Sequence, residues 1–155
     1  MRYILLLTLG SLLVSCNMRH PKDSDATTEL IPFQTFLKSP VFAHASATRT
    51  FLLQNQVDQD EFIDSITPPG RSFPQFSYND SVLVGVITAH VRSSSTFQID
   101  SLKRFGNVIR VFCTTVESSS QALDQLGLCH IVVIKKPSTE FTLVLMHTIR
   151  YTKPG

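Results

Sequence analysis

The feature that most constrains the fold is a run of nine uncharged, mostly apolar residues at 81–89, SVLVGVITA. Val and Ile are enriched in β-strands, and a continuous apolar run of this length is typical of a strand in the centre of a sheet. Gly85, in the middle of the run, indicates either a bulge or the close approach of another element. We therefore expect residues 81–89 to form a central strand.

Further strand patterns recur along the chain at a spacing of about ten residues. Residues 96–102 alternate apolar and polar side chains, which predicts a half-buried strand. Residues 30–38 fit either an edge strand or an irregular entry, and the other candidate strands lie at 48–54, 107–116, 129–135 and 141–148. Short connections favour antiparallel pairing of consecutive strands. The pattern predicts an α+β domain with a mostly antiparallel sheet of five to six strands, and leaves open whether the sheet curls into a half-barrel.

One helix is predicted at residues 58–66. Asp58 can cap its first turn, and Glu61, three residues later, completes a pattern that resembles a capping box. Apolar residues at i, i+1 and i+4 from Phe62 give the helix one apolar face, and the sequence TPPG at 67–70 ends it. We expect this short helix to cover one face or one end of the sheet.

Composition excludes several classes of protein. A chain of 155 residues favours one domain, and 43% hydrophobic with 17% charged residues is too apolar for a disordered chain. The 14 Lys and Arg residues exceed the 12 Asp and Glu residues by only two. A basic excess that would favour nucleic-acid binding is therefore missing, and we expect no nucleic-acid partner.

The N-terminus has the pattern of a bacterial lipoprotein signal peptide. Arg2 precedes an apolar stretch of about a dozen residues, which is too short to span a bilayer. The sequence Leu-Val-Ser-Cys at 13–16 resembles a lipobox, which implies cleavage before Cys16 and acylation of that residue. Asn17, rather than Asp, follows the cysteine and favours sorting to the outer membrane in bacteria of the enteric type.

These patterns divide the chain into three parts. Residues 1–15 are a predicted signal peptide, residues 16–28 a lipidated cysteine with a polar tether, and residues 29–155 a single α+β domain. Two or three acyl chains give a stable anchor. We therefore expect a protein of the bacterial cell envelope, attached to a membrane through its lipid and exposed to periplasmic partners.

Two cysteines lie outside the lipobox, Cys113 and Cys129. Export to an oxidising compartment permits a disulfide between them. If the strands at 108–116 and 129–135 pair around Gln121, the two cysteines face each other, since each lies eight residues from it. The alternative is a pair of buried or half-buried free thiols. The spacing offers no metal site.

The segment at 73–80, FPQFSYND, places three aromatic residues in a predicted loop. Phe73, Phe76 and Tyr78 either pack down as a lid on the core, which is the commoner arrangement, or form a docking patch for a partner. Phe73, Phe76 and Tyr78 are therefore the candidate partner-docking residues.

The order of these motifs resembles the protease-complex subunit domain of the PrcB type, which occurs in bacterial lipoproteins and secreted proteins. The similarity runs over about residues 29–146 and rests on segments around Ile31-Pro32-Phe33, Phe51-Leu52-Leu53, Glu61-Phe62, Phe73-Pro74-x-Phe76-Ser77, 82–86, Phe97-x-Ile99-x-Ser101-Leu102, 108–111 and 130–136. The resemblance implies an accessory role without catalysis, such as the stabilisation of a protease complex at the cell surface.

Catalytic motifs are absent from the sequence: it contains no G-x-S-x-G, H-E-x-x-H, P-loop or G-x-G-x-x-G pattern. His130 and His147 lie in predicted strands, where a half-buried imidazole is the simpler explanation. We expect no catalytic residue, metal or cofactor. The favoured hypothesis is a lipid-anchored interaction module that binds a protein partner through a sheet edge or the aromatic loop. The alternative is an envelope module that holds a small or lipidic ligand between sheet and helix.

Overall fold

A computed structural model describes residues 28–41, 47–66, 73–89, 95–117 and 127–152. The predicted signal peptide, Cys16 and nearly all of the tether lie outside the described residues. Within them the chain forms eight strands and one helix, in the order β1 (Glu29–Ile31), β2 (Gln34–Val41), β3 (Arg49–Leu53), α1 (Gln56–Ile66), β4 (Ser81–Ile87), β5 (Thr96–Phe105), β6 (Val108–Glu117), β7 (Gly127–Lys135) and β8 (Thr142–Tyr151).

The strands form two four-stranded sheets. Sheet A has the order β1-β5-β6-β8, and sheet B has the order β2-β7-β4-β3. All pairings are antiparallel except that of β6 with β8, which is parallel. A tight turn joins β5 to β6, where Gly106 adopts a φ of 60°, a conformation that two-residue hairpin turns require and glycine adopts without strain.

The two sheets face each other across the main hydrophobic core. Sheet A contributes side chains such as Leu102, Ile109 and Val111, and sheet B contributes Val84 and Val132. A second core lies on the other face of sheet B, beneath α1 and the loop at 73–78. Sheet B is therefore the middle layer of three.

This layering explains why the run at 81–89 carries no polar alternation. β4 lies in the interior of sheet B, so alternate side chains enter the two cores: Val84 packs towards sheet A, and Leu83 packs towards α1. Every residue from Val82 to Thr88 is buried. The predicted central strand is confirmed.

Gly85 is required by the close approach of one aromatic ring. A Cβ atom at this position would lie within 2.6 Å of three ring atoms of Phe51, its partner across the β3–β4 pair. The Phe51 ring is itself stacked on Phe62 of α1, with ring centroids 4.0 Å apart. Of the two sequence interpretations, close approach is therefore the right one.

Helix α1 begins two residues earlier than predicted, because Asn55 rather than Asp58 is its cap. The Asp58 N–H donates to the side-chain oxygen Oδ1 of Asn55 at 2.9 Å, and the Asp58 carboxylate accepts from the Gln54 N–H at 2.8 Å. The first bond joins the cap residue Asn55 to Asp58 at the third helical position, and the second bond comes from Gln54, the residue before the cap. Among the described residues, no helix is both long and apolar enough to cross a membrane.

The predicted class, α+β with mostly antiparallel strands and one short covering helix, is confirmed. The expected five or six strands are eight, and they lie in two facing sheets that do not close into a barrel. The predicted pairing of residues 108–116 with 129–135 is wrong, because β6 belongs to sheet A and β7 to sheet B.

Candidate functional site

Strand β8 is the outermost strand of sheet A, and among the described strands it pairs with β6 alone. The Thr142 N–H donates to the Asn107 carbonyl at 2.9 Å, and the Thr152 N–H donates to the Glu117 carbonyl at 3.1 Å. Both bonds belong to one parallel register, in which even-numbered residues of β8 direct their N–H and C=O groups towards β6. Odd-numbered residues therefore direct theirs towards the open side.

Exposed apolar side chains concentrate on this strand. Of the six large hydrophobic residues that are exposed in the described part of the chain, four belong to β8: Val144 at 38%, Met146 at 41%, Ile149 at 46% and Tyr151 at 68%. Val144 and Met146 lie on the outer face of sheet A, and Ile149 and Tyr151 lie on its inner face. Both faces of the strand are thus apolar and accessible near an open edge.

The other edge strands carry features that oppose strand addition. β1 has three residues and β3 has five, and both are short templates. β2 contains Lys38 and Pro40 and an irregularity in pairing between Thr35 and Leu37. β8 is ten residues long, and Arg150 is its only Lys, Arg, Asp or Glu residue. Among the described edges, β8 is the one suited to accept another strand.

The inner face of the first half of β8 packs against the rest of the domain. β3 approaches β8, and Gln54, just after β3, lines the same depression as Phe141, just before β8. Leu143 and Leu145 pack against the main core. On the inner face, the accessible part of the strand is therefore the second half, where Ile149 and Tyr151 are exposed.

The strand predicted at 141–148 ends before Ile149 and Tyr151, so this site was not predicted from the sequence. The signal lay in the low charge of residues 142–151 together with apolar residues at both odd and even positions. Such a strand is either buried on both faces or an apolar edge.

The predicted docking residues Phe73, Phe76 and Tyr78 do not form an exposed patch. They are half-buried and pack on the second core, where the Phe36 ring lies 5.6 Å from Phe73 and 5.3 Å from Phe76, between centroids. The Tyr78 hydroxyl donates to Oε1 of the buried Gln59 at 2.8 Å, and burial, with Asp58 and Asp60 nearby, raises the pKa of Tyr78 to about 12. The segment is a lid on the core.

Cys113 and Cys129 are free and buried. Cys113 belongs to the core between the sheets, and Cys129 belongs to the core beneath α1, so sheet B separates them. Of the two alternatives that the sequence left open, two free thiols are therefore the right one, and the face-to-face disulfide is not formed. Burial raises the pKa of each thiol to about 12, with a smaller contribution from Asp100 at Cys113, which keeps both protonated and unreactive at neutral pH.

His130 links the two sheets through hydrogen bonds. Its Nδ1 accepts from the Ile99 N–H of sheet A at 2.7 Å, so the neutral ring carries its proton on Nε2, which donates to Oγ1 of Thr35 at 3.0 Å. Burial, with Lys38 nearby, lowers the pKa of His130 to about 4. Both ring nitrogens are occupied by structural partners, which fits the interpretation of a core histidine.

His147, on the inner face of β8, shares a hydrogen bond of 2.7 Å between its Nε2 and the Thr115 hydroxyl. Burial lowers the pKa of His147 as well. Within the described residues, no three His, Cys, Asp or Glu side chains gather in a way that would hold a metal ion.

Aromatic side chains occupy the space between sheet B and α1, which is where the alternative hypothesis places a small or lipidic ligand. Two open depressions, of about 430 and 420 Å³, instead flank the β7–β8 turn around residues 136–138.

Comparison with protein-family models, curated proteins and solved structures finds no match for this chain.

Proposed function

We propose that the chain is a lipid-anchored accessory module of the bacterial cell envelope, without catalytic activity, that binds a protein partner by strand addition at β8. The observation that carries this proposal is the open edge of β8, which has exposed apolar side chains on both faces along its length and Arg150 as its one Lys, Arg, Asp or Glu residue. An extended partner segment there would take up the N–H and C=O groups of His147, Ile149 and Tyr151.

Two features of the sequence support the location and the type of partner. The lipobox at 13–16 would attach the domain to a membrane through an acylated Cys16. Asn17 at the next position favours the outer membrane. The resemblance to the PrcB-type subunit makes a protease complex the specific partner that we propose, with this chain as its stabilising subunit.

Crosslinking of the anchored full-length chain in cells tests the docking edge. In Ile149→Lys, a charge enters the apolar site, and in Ile149→Pro, a backbone donor that points to the open side is removed without breaking a bond to β6. Both variants should fold and lose the crosslinked partner. Val57→Lys makes the same change at another exposed apolar residue, on α1, and should retain it. A partner retained in both Ile149 variants would refute docking at β8.

The anchor is tested separately. Cys16→Ala should leave an unlipidated protein that no longer carries a fatty-acid label. A label that persists in this variant would refute the lipoprotein assignment.

A further inference from the structure

The outer face of sheet A, the face turned away from sheet B, is more apolar than an exposed sheet face usually is. Phe112, Val144 and Met146 lie side by side on β6 and β8, since Phe112 pairs with Met146, and Arg110 pairs with Val144. Leu30, at the sheet's other edge, belongs to the same face and is 65% exposed. None of these side chains is part of either core.

Cations are interleaved with these apolar side chains. The Lys103 ammonium lies 5.2 Å from the centroid of the Phe112 ring, and the Arg110 guanidinium lies 4.3 Å from that of Phe105. Arg150 adds a third cation on the same face, opposite Val116. Each pair holds a cationic group beside an aromatic ring, so cations and apolar side chains share the same exposed surface.

One carboxylate opposes these three cations on the described part of this face. Asp100 is already engaged, because it accepts from the Thr114 hydroxyl at 2.7 Å and from the Gln98 amide at 2.9 Å. With three cationic side chains and one carboxylate, the described part of this face has a formal net charge of +2. A surface that complements this face would be flat and anionic, with an apolar layer beneath its charged groups.

The predicted lipid anchor would bring such a surface, a membrane, close to sheet A. β1, an edge strand of sheet A, begins at Glu29, thirteen residues after the cysteine of the lipobox. A segment of this length spans at most about 45 Å, even when fully extended. An acylated Cys16 would thus hold the edge of sheet A that bears Leu30 near the lipid headgroups.

We infer that the outer face of sheet A lies on an anionic lipid surface, with its apolar side chains in the interface and its cations at the headgroup phosphates. This inference rests on the lipid anchor of the proposed function. In that orientation the open edge of β8 points along the membrane, where a neighbouring envelope protein can reach it.

Vesicle binding tests the face without help from the acyl chains. All three layers are built from residues 28–152. A chain that starts at Asn17 therefore keeps every described contact and lacks both signal peptide and Cys16. It should sediment with vesicles of equimolar phosphatidylcholine and phosphatidylglycerol, less with added salt, and not with phosphatidylcholine alone.

Paired variants locate the contact. Each cation near an anionic surface contributes about a fivefold factor in partitioning, so Lys103→Gln with Arg110→Gln should lower binding by more than about 10-fold. Val144→Ser with Met146→Ser should also weaken it. Lys135→Gln with Lys136→Gln is the matched control, since Lys135 points away from sheet A, and should bind as the parent does. Thermal unfolding confirms that each variant is folded.

Three outcomes would overturn the inference: no sedimentation with anionic vesicles, equal binding to neutral ones, or equal losses in the control and the test pair. Loss of the crosslinked partner in the Lys103/Arg110 variant, without vesicle binding by the parent, would assign the face to a protein instead. The proposed function does not depend on these results, because the Ile149 variants test the β8 edge in the anchored chain.

Discussion

Replacement of Gly85 by Ala probes the contact that joins sheet B to its helix. The added Cβ would overlap the Phe51 ring, which cannot move towards α1 without displacing Phe62. Overpacking of a buried site costs about 1–3 kcal/mol, and the upper end applies here because β4 is held between two layers. Ala also lowers the conformational entropy of the unfolded chain, which stabilises the folded state by about 0.4–1 kcal/mol. We expect Gly85→Ala to reduce the free energy of unfolding by about 2 kcal/mol.

A double-mutant cycle with Phe51 identifies the cause. Phe51→Leu alone should cost about 1–2 kcal/mol, since it removes a half-buried ring and its stacking on Phe62. It also vacates the space that the new methyl group needs. The double variant should therefore be less destabilised than the sum of the single ones, with a coupling of about 1–2 kcal/mol.

Gly106 supplies the matched control for this cycle. It has a φ of +60°, and a Cβ there would meet nothing within 4 Å. Gly106→Ala should cost about 1 kcal/mol through backbone strain alone and should add to Phe51→Leu without coupling. Urea unfolding of all five variants and the parent measures these terms. Additivity of Gly85→Ala with Phe51→Leu would refute the steric explanation.

Three further predictions concern side chains in the two cores. Because the pKa of His130 is lowered to about 4, its stabilising contribution is complete above about pH 6.5 and is lost as the pH falls towards 4. Urea unfolding across this range should show a loss of up to about 3 kcal/mol that is absent in His130→Gln, and an unchanged profile in that variant would contradict the assignment. Phe76→Ala should lower the free energy of unfolding by about 3 kcal/mol, the lower end for a buried Phe, because the ring is half-buried; a change below about 1 kcal/mol would mean that the loop is no lid. Titration of the denatured, unreduced domain without Cys16 should find both Cys113 and Cys129 as free thiols. A titration that finds no free thiol would indicate a disulfide, which this fold does not accommodate.

Local patterns in the sequence predicted individual elements well, because they depend on neighbouring residues. The run at 81–89 had to be buried on both faces, and β4 is. The helix was found from its apolar spacing and acidic start, although the cap moved from Asp58 to Asn55. Both residues can cap, and only the geometry of the preceding backbone selects between them.

Pairing between distant strands was not predictable in the same way. Alternation shows that one face of a strand is buried, but it does not say which sheet the strand joins. The proposed disulfide assumed that consecutive strands pair, whereas the chain passes from sheet A to sheet B between Cys113 and Cys129. In the two facing sheets the same apolar residues are buried, but against different neighbouring strands.

The exposed edge follows from this same change of sheets. After β7 the chain leaves sheet B at residues 136–141 and returns to sheet A, where β5 already occupies one side of β6. Only the other side of β6 is free, so β8 must become an edge strand. An edge of ten residues invites unwanted association unless charges, Pro or a bulge protect it, and β2 has such protection. Because the same chain protects one long edge and leaves Ile149 and Tyr151 exposed on the other, we propose that a partner covers this part of β8.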